Sequence, residues 1–264
     1  MKFFPFVLFL SAALSHAADI PPDSKVLQSI TDGAARTPVS TSLRLLNWNI
    51  LKGERGDVWN KDIAAFAADR NVVLLQEGWQ SPNVLAALQG IPGFSFTMAN
   101  SFLWKGAMTG VVSGFTYVPD ALAFRRSPQR EPILNSPKMS LLASFTFADG
   151  RPLKIVNVHG INFVGPDKLK NQLDDVTEQL AGYAGTLVVA GDFNTWNDAR
   201  AQVVRDFAKA LGMTEVAFER HGTDAVLDHV FARGCAVEKA WVVENVASSD
   251  HDPEFVNFNC SANP

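Results

Sequence analysis

LVVAGDFN, residues 187–194, is a short apolar run that stops on an acid and an amide. Branched and Leu side chains bounded by glycine suit a strand buried on both faces. Such a strand delivers its polar end to an edge of the core. The same design recurs along the chain. LRLLNWN (43–49) ends on Asn49, VVLLQE (72–77) on Glu77, and KIVNVH (154–159) on His159. Asp228 opens DHVFA, and Asp250-His251 precedes PEFVNF. Strands ending at one edge would gather carboxylates, amides and imidazoles at the mouth of an apolar core, where catalytic sites form.

Working outward, strands are predicted at Leu43–Asn49, Val72–Gln76, Ala107–Val112, Leu122–Phe124, Ser140–Phe147, Leu153–His159, Thr186–Ala190, Leu227–Phe231, Val237–Val243 and Glu254–Asn259. Helices are predicted between them. Leu169, Leu173, Val176 and Leu180 share one face of a helix over 167–181, and Val203, Val204, Phe207 and Leu211 line one over 198–211 that Gly212 stops. A third covers 59–69. The stretch 140–159 reads as a hairpin around Asp149-Gly150, so the sheet is mixed and the class α/β.

Composition sets outer bounds. With 264 residues, 47% apolar and 19% charged, the chain is neither disordered nor a coiled coil. A net charge of −4 argues against a protein that coats nucleic acid by charge alone. Two cysteines, not arranged as CxxC, exclude zinc ribbons and thioredoxin-like sites.

Residues 1–17 read as a secretory leader. Lys2 is the positive end, Phe3 to Leu14 the apolar run, and Ser15-His16-Ala17 places small residues before a cut at Ala18. The apolar run is shorter than the roughly 20 residues of a membrane span. We therefore expect an exported protein, periplasmic or extracellular, with no stable membrane insertion and a monomeric state. Residues 18–41, rich in Pro, Ser and Thr, read as an extended arm, and 42–261 as one domain.

Each polar residue also has a plain alternative. Asn47 and Asn49 could satisfy a turn, and Glu77 could be solvated. His229 could be half-buried packing, and His221 carries no specific signal. Asp192-x-Asn194 begins like a calcium loop, but Trp196 occupies the next ligand position, which excludes an EF-hand.

Taken together, LLNWNI (45–50), LLQEGW (74–79), VNVHGINF (156–163), VAGDFNTW (189–196), LDHVFARG (227–234) and SSDHDP (248–253) resemble the endonuclease/exonuclease/phosphatase superfamily. GDFN and SDHxP in this order are its specific marks. The strings PKMSLL, VNVHGINF and GDFNTW resemble a bacterial branch rather than the lipid- or inositol-specific ones. The superfamily includes DNase I-like nucleases, abasic-site endonucleases, inositol polyphosphate 5-phosphatases and neutral sphingomyelinases.

The resemblance implies a four-layer sandwich of two mixed β-sheets with flanking helices. It also implies a divalent metal, Mg²⁺ first and Mn²⁺ or Ca²⁺ as alternatives, held by Asn49 and Glu77 with Asp250 able to contact it. His251 is implied as the catalytic histidine and Asp228 as its orienter. Asp192 and Asn194 would orient water and phosphate, and His159 would contact the scissile phosphate. His251 and Asp192 compete for the role of general base. The implied activity is metal-dependent phosphodiester hydrolysis of DNA or RNA. Alternatives are a phosphatase or sphingomyelinase-type activity on a small or lipid substrate, or a non-catalytic binding protein. No long basic loop for gripping duplex DNA is present, and Arg125, Arg126, Arg130 and Lys138 form the one basic cluster near a motif. His229 follows Asp228, so a second imidazole is expected near the site.

Cys235 and Cys260 lie seven and nine residues beyond Asp228 and His251. If those two residues meet and their strands are neighbours, both cysteines reach the far edge together at about 3.3 Å per residue. Export would let them pair.

Overall fold

The computed structural model describes residues 18–35, 37–221 and 226–261. The leader read in residues 1–17 lies outside them. No helix among the described residues is long and apolar enough to cross a membrane.

Among the described residues thirteen strands form two sheets. The first comprises β1 (Leu27–Ser29), β2 (Ser42–Asn49), β3 (Val72–Trp79), β4 (Ser95–Trp104), β5 (Ala107–Phe115), β12 (Ala236–Val242) and β13 (Glu254–Asn259). Its spatial order is β1-β4-β5-β3-β2-β13-β12. The second comprises β6 (Ala121–Arg126), β7 (Met139–Thr146), β8 (Pro152–His159), β9 (Thr186–Asp192), β10 (Thr214–Glu215) and β11 (Asp228–Arg233), in the order β10-β11-β9-β8-β7-β6. Both sheets are mixed: β2 pairs with β3 and β8 with β9 in parallel, amid antiparallel neighbours. The helices are α1 (Asp57–Ala67), α2 (Pro82–Gln89), α3 (Pro166–Gln179) and α4 (Asp198–Ala210).

Side-chain alternation produces four layers. Leu43 and Leu45 of β2 face Val188, Ala190 and Ile155 of the second sheet, filling the space between sheets. Leu46 and Trp48 of the same strand point the other way, onto Trp59 and Ile63 of α1 and Val84 and Leu88 of α2. On the opposite flank, Leu169, Leu173 and Val176 of α3 and Val204 and Phe207 of α4 cover Val158, Leu187 and Val189. The sandwich expected from the resemblance is the fold observed.

The helix α2, the strand β4 and the short strands β1 and β10 escaped the periodicity reading. α2 is only eight residues long, with Pro82 in its first turn and Ser81 capping Val84 N. β4 is buried on both faces over much of its length, so it lacks clean alternation. The segment before β2 is partly embedded. β1 pairs with β4, and Val26 and Val39 are buried in the core between the sheets. The hairpin at Asp149-Gly150 is present, with Gly150 at φ 85°.

Cys235 and Cys260 are bonded. The route differs from expectation, because β11 and β13 lie in different sheets and are not neighbours. The bridge instead closes the antiparallel ladder of β12 and β13, next to the Ala236–Asn259 pair.

Candidate active site

Register aligns the site. In the second sheet His159 pairs with Asp192, and Asp192 with Asp228, so three adjacent strands present these residues in one row. In the first sheet Asn49 stands level with Gln76. Gly191 explains the glycine of GDFN: a Cβ there would lie 1.8 Å from the Val158 carbonyl oxygen.

Asp192 is the hub. Its Oδ2 accepts from Asn49 Nδ2 at 2.9 Å and lies 3.5 Å from His159 Nε2. Its Oδ1 accepts from the Asn194 backbone N–H at 2.8 Å. Asn194, at φ 53°, donates from Nδ2 to Gly160 O, tying the β9 loop to the β8 loop.

His251 reaches this row from the other sheet. The loop before β13 is pinned to the end of β2: Ser249 Oγ donates to Asn49 O at 2.6 Å, and Trp48 Nε1 to His251 O at 2.9 Å. His251 Nδ1 then lies 2.7 Å from Asp228 Oδ2, and its Nε2 lies 4.0 Å from Asp192 Oδ2. An oxygen atom can sit within hydrogen-bond reach of both of the latter groups.

Electrostatics follow from this crowding. Burial opposes a charge on His251, but Asp228, with Asp192 and Asp250 behind it, lifts the imidazole to about 10. Burial first, and Asp228 second, push Asp192 up to about 6. His159 is kept neutral, well below the ordinary histidine value, by burial and then by Lys138 and Lys52.

Glu77 occupies a β-bulge between Leu75 and Gly78, at φ 56°, and its side chain is 21% exposed. Lys52 bonds to it from a turn in which Leu51, Lys52 and Gly53 all have positive φ. Burial works against its charge, yet Lys138 and Lys52 outweigh burial and hold the carboxyl below its ordinary range. Lys138 also faces Glu131 at 3.4 Å. Both lysines share a cavity with Glu77 and His159.

The cluster is not uniform. Asp250 is exposed and lines a second cavity with Asp228 and His251, whereas Glu77 lines the first. His229 turns away from the site, against the expected second imidazole. Its ring stacks on Phe231 and lies between Thr195 Oγ1 and Glu215 Oε1, at 2.7 and 2.6 Å. Alternation along β11 explains this, since Asp228 and His229 project from opposite faces. Arg126 is spent on Asp23 and Pro21 O, so of the basic cluster Lys138 is the member beside Glu77 and His159.

The sequence reading missed Lys52, Ser249 and Arg200. Arg200, 0% exposed, donates to the carbonyls of Asn194, Val164 and Ile161 and so staples the loops that follow His159 and Asp192. Behind the site, Gln76 Nε2 donates to Asn47 Oδ1 and Asn157 Oδ1 at 2.9 and 2.8 Å, joining the two sheets. Asn47 donates to the buried Glu254, which Arg220 also meets.

The pattern of the endonuclease/exonuclease/phosphatase family matches residues 46–251, a span reaching from the LLNWN strand to His251. The chain belongs to that family. Members of the endonuclease/exonuclease/phosphatase family are phosphoester hydrolases, among them nucleases, phosphatases and phosphodiesterases, and they generally use divalent metals. The chain is 32% identical over 250 residues to a UPF0294 protein of Yersinia enterocolitica, covering 90% of this chain and 92% of that one. It is 35% identical over 239 residues to a UPF0294 protein of Klebsiella pneumoniae, covering 85% and 86%. Among solved structures the fold is similar to a mannosyl-6-phosphatase of Bacteroides thetaiotaomicron (TM-score 0.63, 15% identity, 82% and 99% covered). It is also similar to D. rerio TDP2 complexed with single-strand DNA product (TM-score 0.58, 17% identity, 83% and 99% covered).

Proposed function

We propose that the protein is an exported, metal-dependent phosphodiesterase acting on nucleic acid. The observation that carries this is the convergence of the His251–Asp228 pair, Asp192 and His159 from two sheets onto one point. Hydrolysis of a phosphodiester needs an oriented water, neutralised phosphoryl oxygens and a stabilised leaving oxygen. Asp192 and Asn194 would hold the water. His251, fixed by Asp228, would face a phosphoryl or leaving oxygen from Nε2. His159, neutral and donating, would bind another phosphoryl oxygen. The leader pattern and the Cys235–Cys260 bond support export to an oxidising compartment.

The donor set fits magnesium. Among the described residues no three His, Cys, Asp or Glu side chains form a ready-made metal cage. Magnesium keeps several waters and needs only one or two carboxylates with other hard oxygens. Glu77, ionised and already facing the Lys52 ammonium, would hold it with the amide oxygen of Asn49. A bound divalent cation supplies Lewis-acid polarisation of the phosphoryl group.

The test is incubation of the purified protein with plasmid DNA, RNA, bis-p-nitrophenyl phosphate, p-nitrophenyl phosphate and sphingomyelin, with Mg²⁺ or with EDTA. The reading requires Mg²⁺-dependent cleavage of the diester and of a nucleic acid. Cleavage of the monoester or of sphingomyelin alone would replace it.

A further inference from the structure

Beside Glu77 a cavity of about 190 Å³ opens between β4, β5 and the segment leading into β7. Phe102, Trp104, Met139 and Phe163 give it apolar walls. Lys52, Lys138, Glu77 and His159 line the same cavity, so it is continuous with the phosphate-handling groups. We infer that this cavity is a subsite for one unpaired nucleobase next to the scissile phosphate. The inference rests on the phosphodiesterase reading above and adds to it the form of the substrate.

Four observations select a heterocycle over other apolar groups. Phe163 is 63% exposed and sits at φ 58°, a conformation that a bulky residue rarely adopts. Strain of this kind persists where surroundings over-determine it. Here Phe163 N donates to Asn162 Oδ1 at 2.8 Å, Trp196 Nε1 donates to the same oxygen, and Asn162 N donates to Glu131 Oε1. An aromatic ring held open to solvent beside the reacting groups is a stacking surface, and every base has a face to stack on it.

The second observation is Trp104. Its indole N–H is buried and has no hydrogen-bond partner among the described residues, although buried indoles usually find one. The N–H is covered in the free protein, so a ligand meets it only when the indole turns; the edge of a base would then bring it an acceptor, whereas an acyl chain would not. Third, Ser101 and Thr109, the hydroxyls on the cavity wall, already donate to Pro137 O and Gly78 O. That leaves little for the several hydroxyls of a sugar. Fourth, Lys52 and Lys138 line the cavity, each facing a carboxylate there, Glu77 or Glu131, so the wall offers ammonium donors to a nucleotide phosphate without a net positive charge. A base seated here cannot also be paired and stacked in a duplex. The subsite therefore selects single strands or frayed ends.

Calorimetric titration of the full mature chain tests this without relying on turnover. The probes are adenosine 5′-monophosphate, ribose 5-phosphate and octyl phosphate. The nucleotide is expected to bind at least about tenfold more tightly than either other probe. Phe163→Ala should abolish the difference between nucleotide and ribose phosphate. Trp104→Phe, which keeps a ring and removes the N–H, should reduce it severalfold. Equal binding of nucleotide and ribose phosphate, tightest binding of octyl phosphate, or no binding by any probe overturns the subsite. If the preference holds while bis-p-nitrophenyl phosphate survives incubation with Mg²⁺, the subsite stands and the phosphodiesterase reading falls. If the diester is hydrolysed and the preference is missing, the phosphodiesterase reading stands and the subsite falls.

Discussion

His251 Nδ1 lies 2.7 Å from Asp228 Oδ2, although Asp228 opens a strand of one sheet and His251 lies in the loop that leads into a strand of the other. The pair exists only when the sandwich is closed, because β11 supplies the acid and the loop before β13 the imidazole. Asp228 thus acts through His251. His251→Ala should lower kcat by roughly 10²-fold or more, the scale for losing a positioned acid or base. The double variant with Asp228→Ala should be little worse. Steady-state kinetics of the three variants decide it, and multiplicative losses would break the pairing.

Glu77→Gln should raise the Mg²⁺ concentration needed for half-maximal activity well before it lowers the maximal rate. The neutral amide keeps the shape of the side chain and removes the charge that faces Lys52. An unchanged Mg²⁺ titration curve would move the cation elsewhere.

Arg200→Ala should cost about 3 kcal/mol in denaturant unfolding, since it leaves three buried carbonyls without their shared donor. Arg200→Lys should recover only part, because one ammonium cannot copy the guanidinium fork. A midpoint unchanged in both variants would contradict the stapling role.

Stability of the metal-free protein should fall as pH rises from about 6.5 to 8, the range in which His159 is neutral in both the folded and the unfolded chain. Burial and the nearby Asp228 charge raise Glu254 from 4.5 to about 8. In that window the folded chain keeps a proton the unfolded chain has released, so each step up in pH favours unfolding. His251, raised to about 10, acts in the same direction above the ordinary histidine value. Thermal melts across this range should flatten in Glu254→Gln, and an unchanged pH slope would remove Glu254 from the account.

The Cys235–Cys260 bond closes a loop with a sequence separation of 25. The chain-entropy argument assigns it about 3 kcal/mol. Intact mass of the non-reduced protein should show no alkylatable thiol, and reduction should lower Tm. Two free thiols would exclude the bond.

Much of the site was legible because strand ends are one-dimensional features. GDFN, LLQE and KIVNVH each show an apolar run ending in a polar group, and parallel register then sets His159 level with Asp192. Residues whose meaning depends on distant partners were not legible. Lys52 reads as a surface lysine until the bulge at Glu77 turns the carboxylate toward it, and Arg200 reads as a helix-surface arginine until two loops close over it. The cysteine pair was expected from β11 and β13 as neighbours, which they are not; the β12–β13 ladder brings the two cysteines together instead. Sequence shows the spacing of strands but not which sheet each one joins.

The most direct test of the central claim is the rate of bis-p-nitrophenyl phosphate hydrolysis by the purified protein, compared with His251→Ala, in Mg²⁺ and in EDTA. The account predicts hydrolysis by the wild type in Mg²⁺, its loss in EDTA, and a rate lower by roughly 10²-fold or more for the variant in Mg²⁺. Equal rates for wild type and variant, or full activity in EDTA, would contradict it.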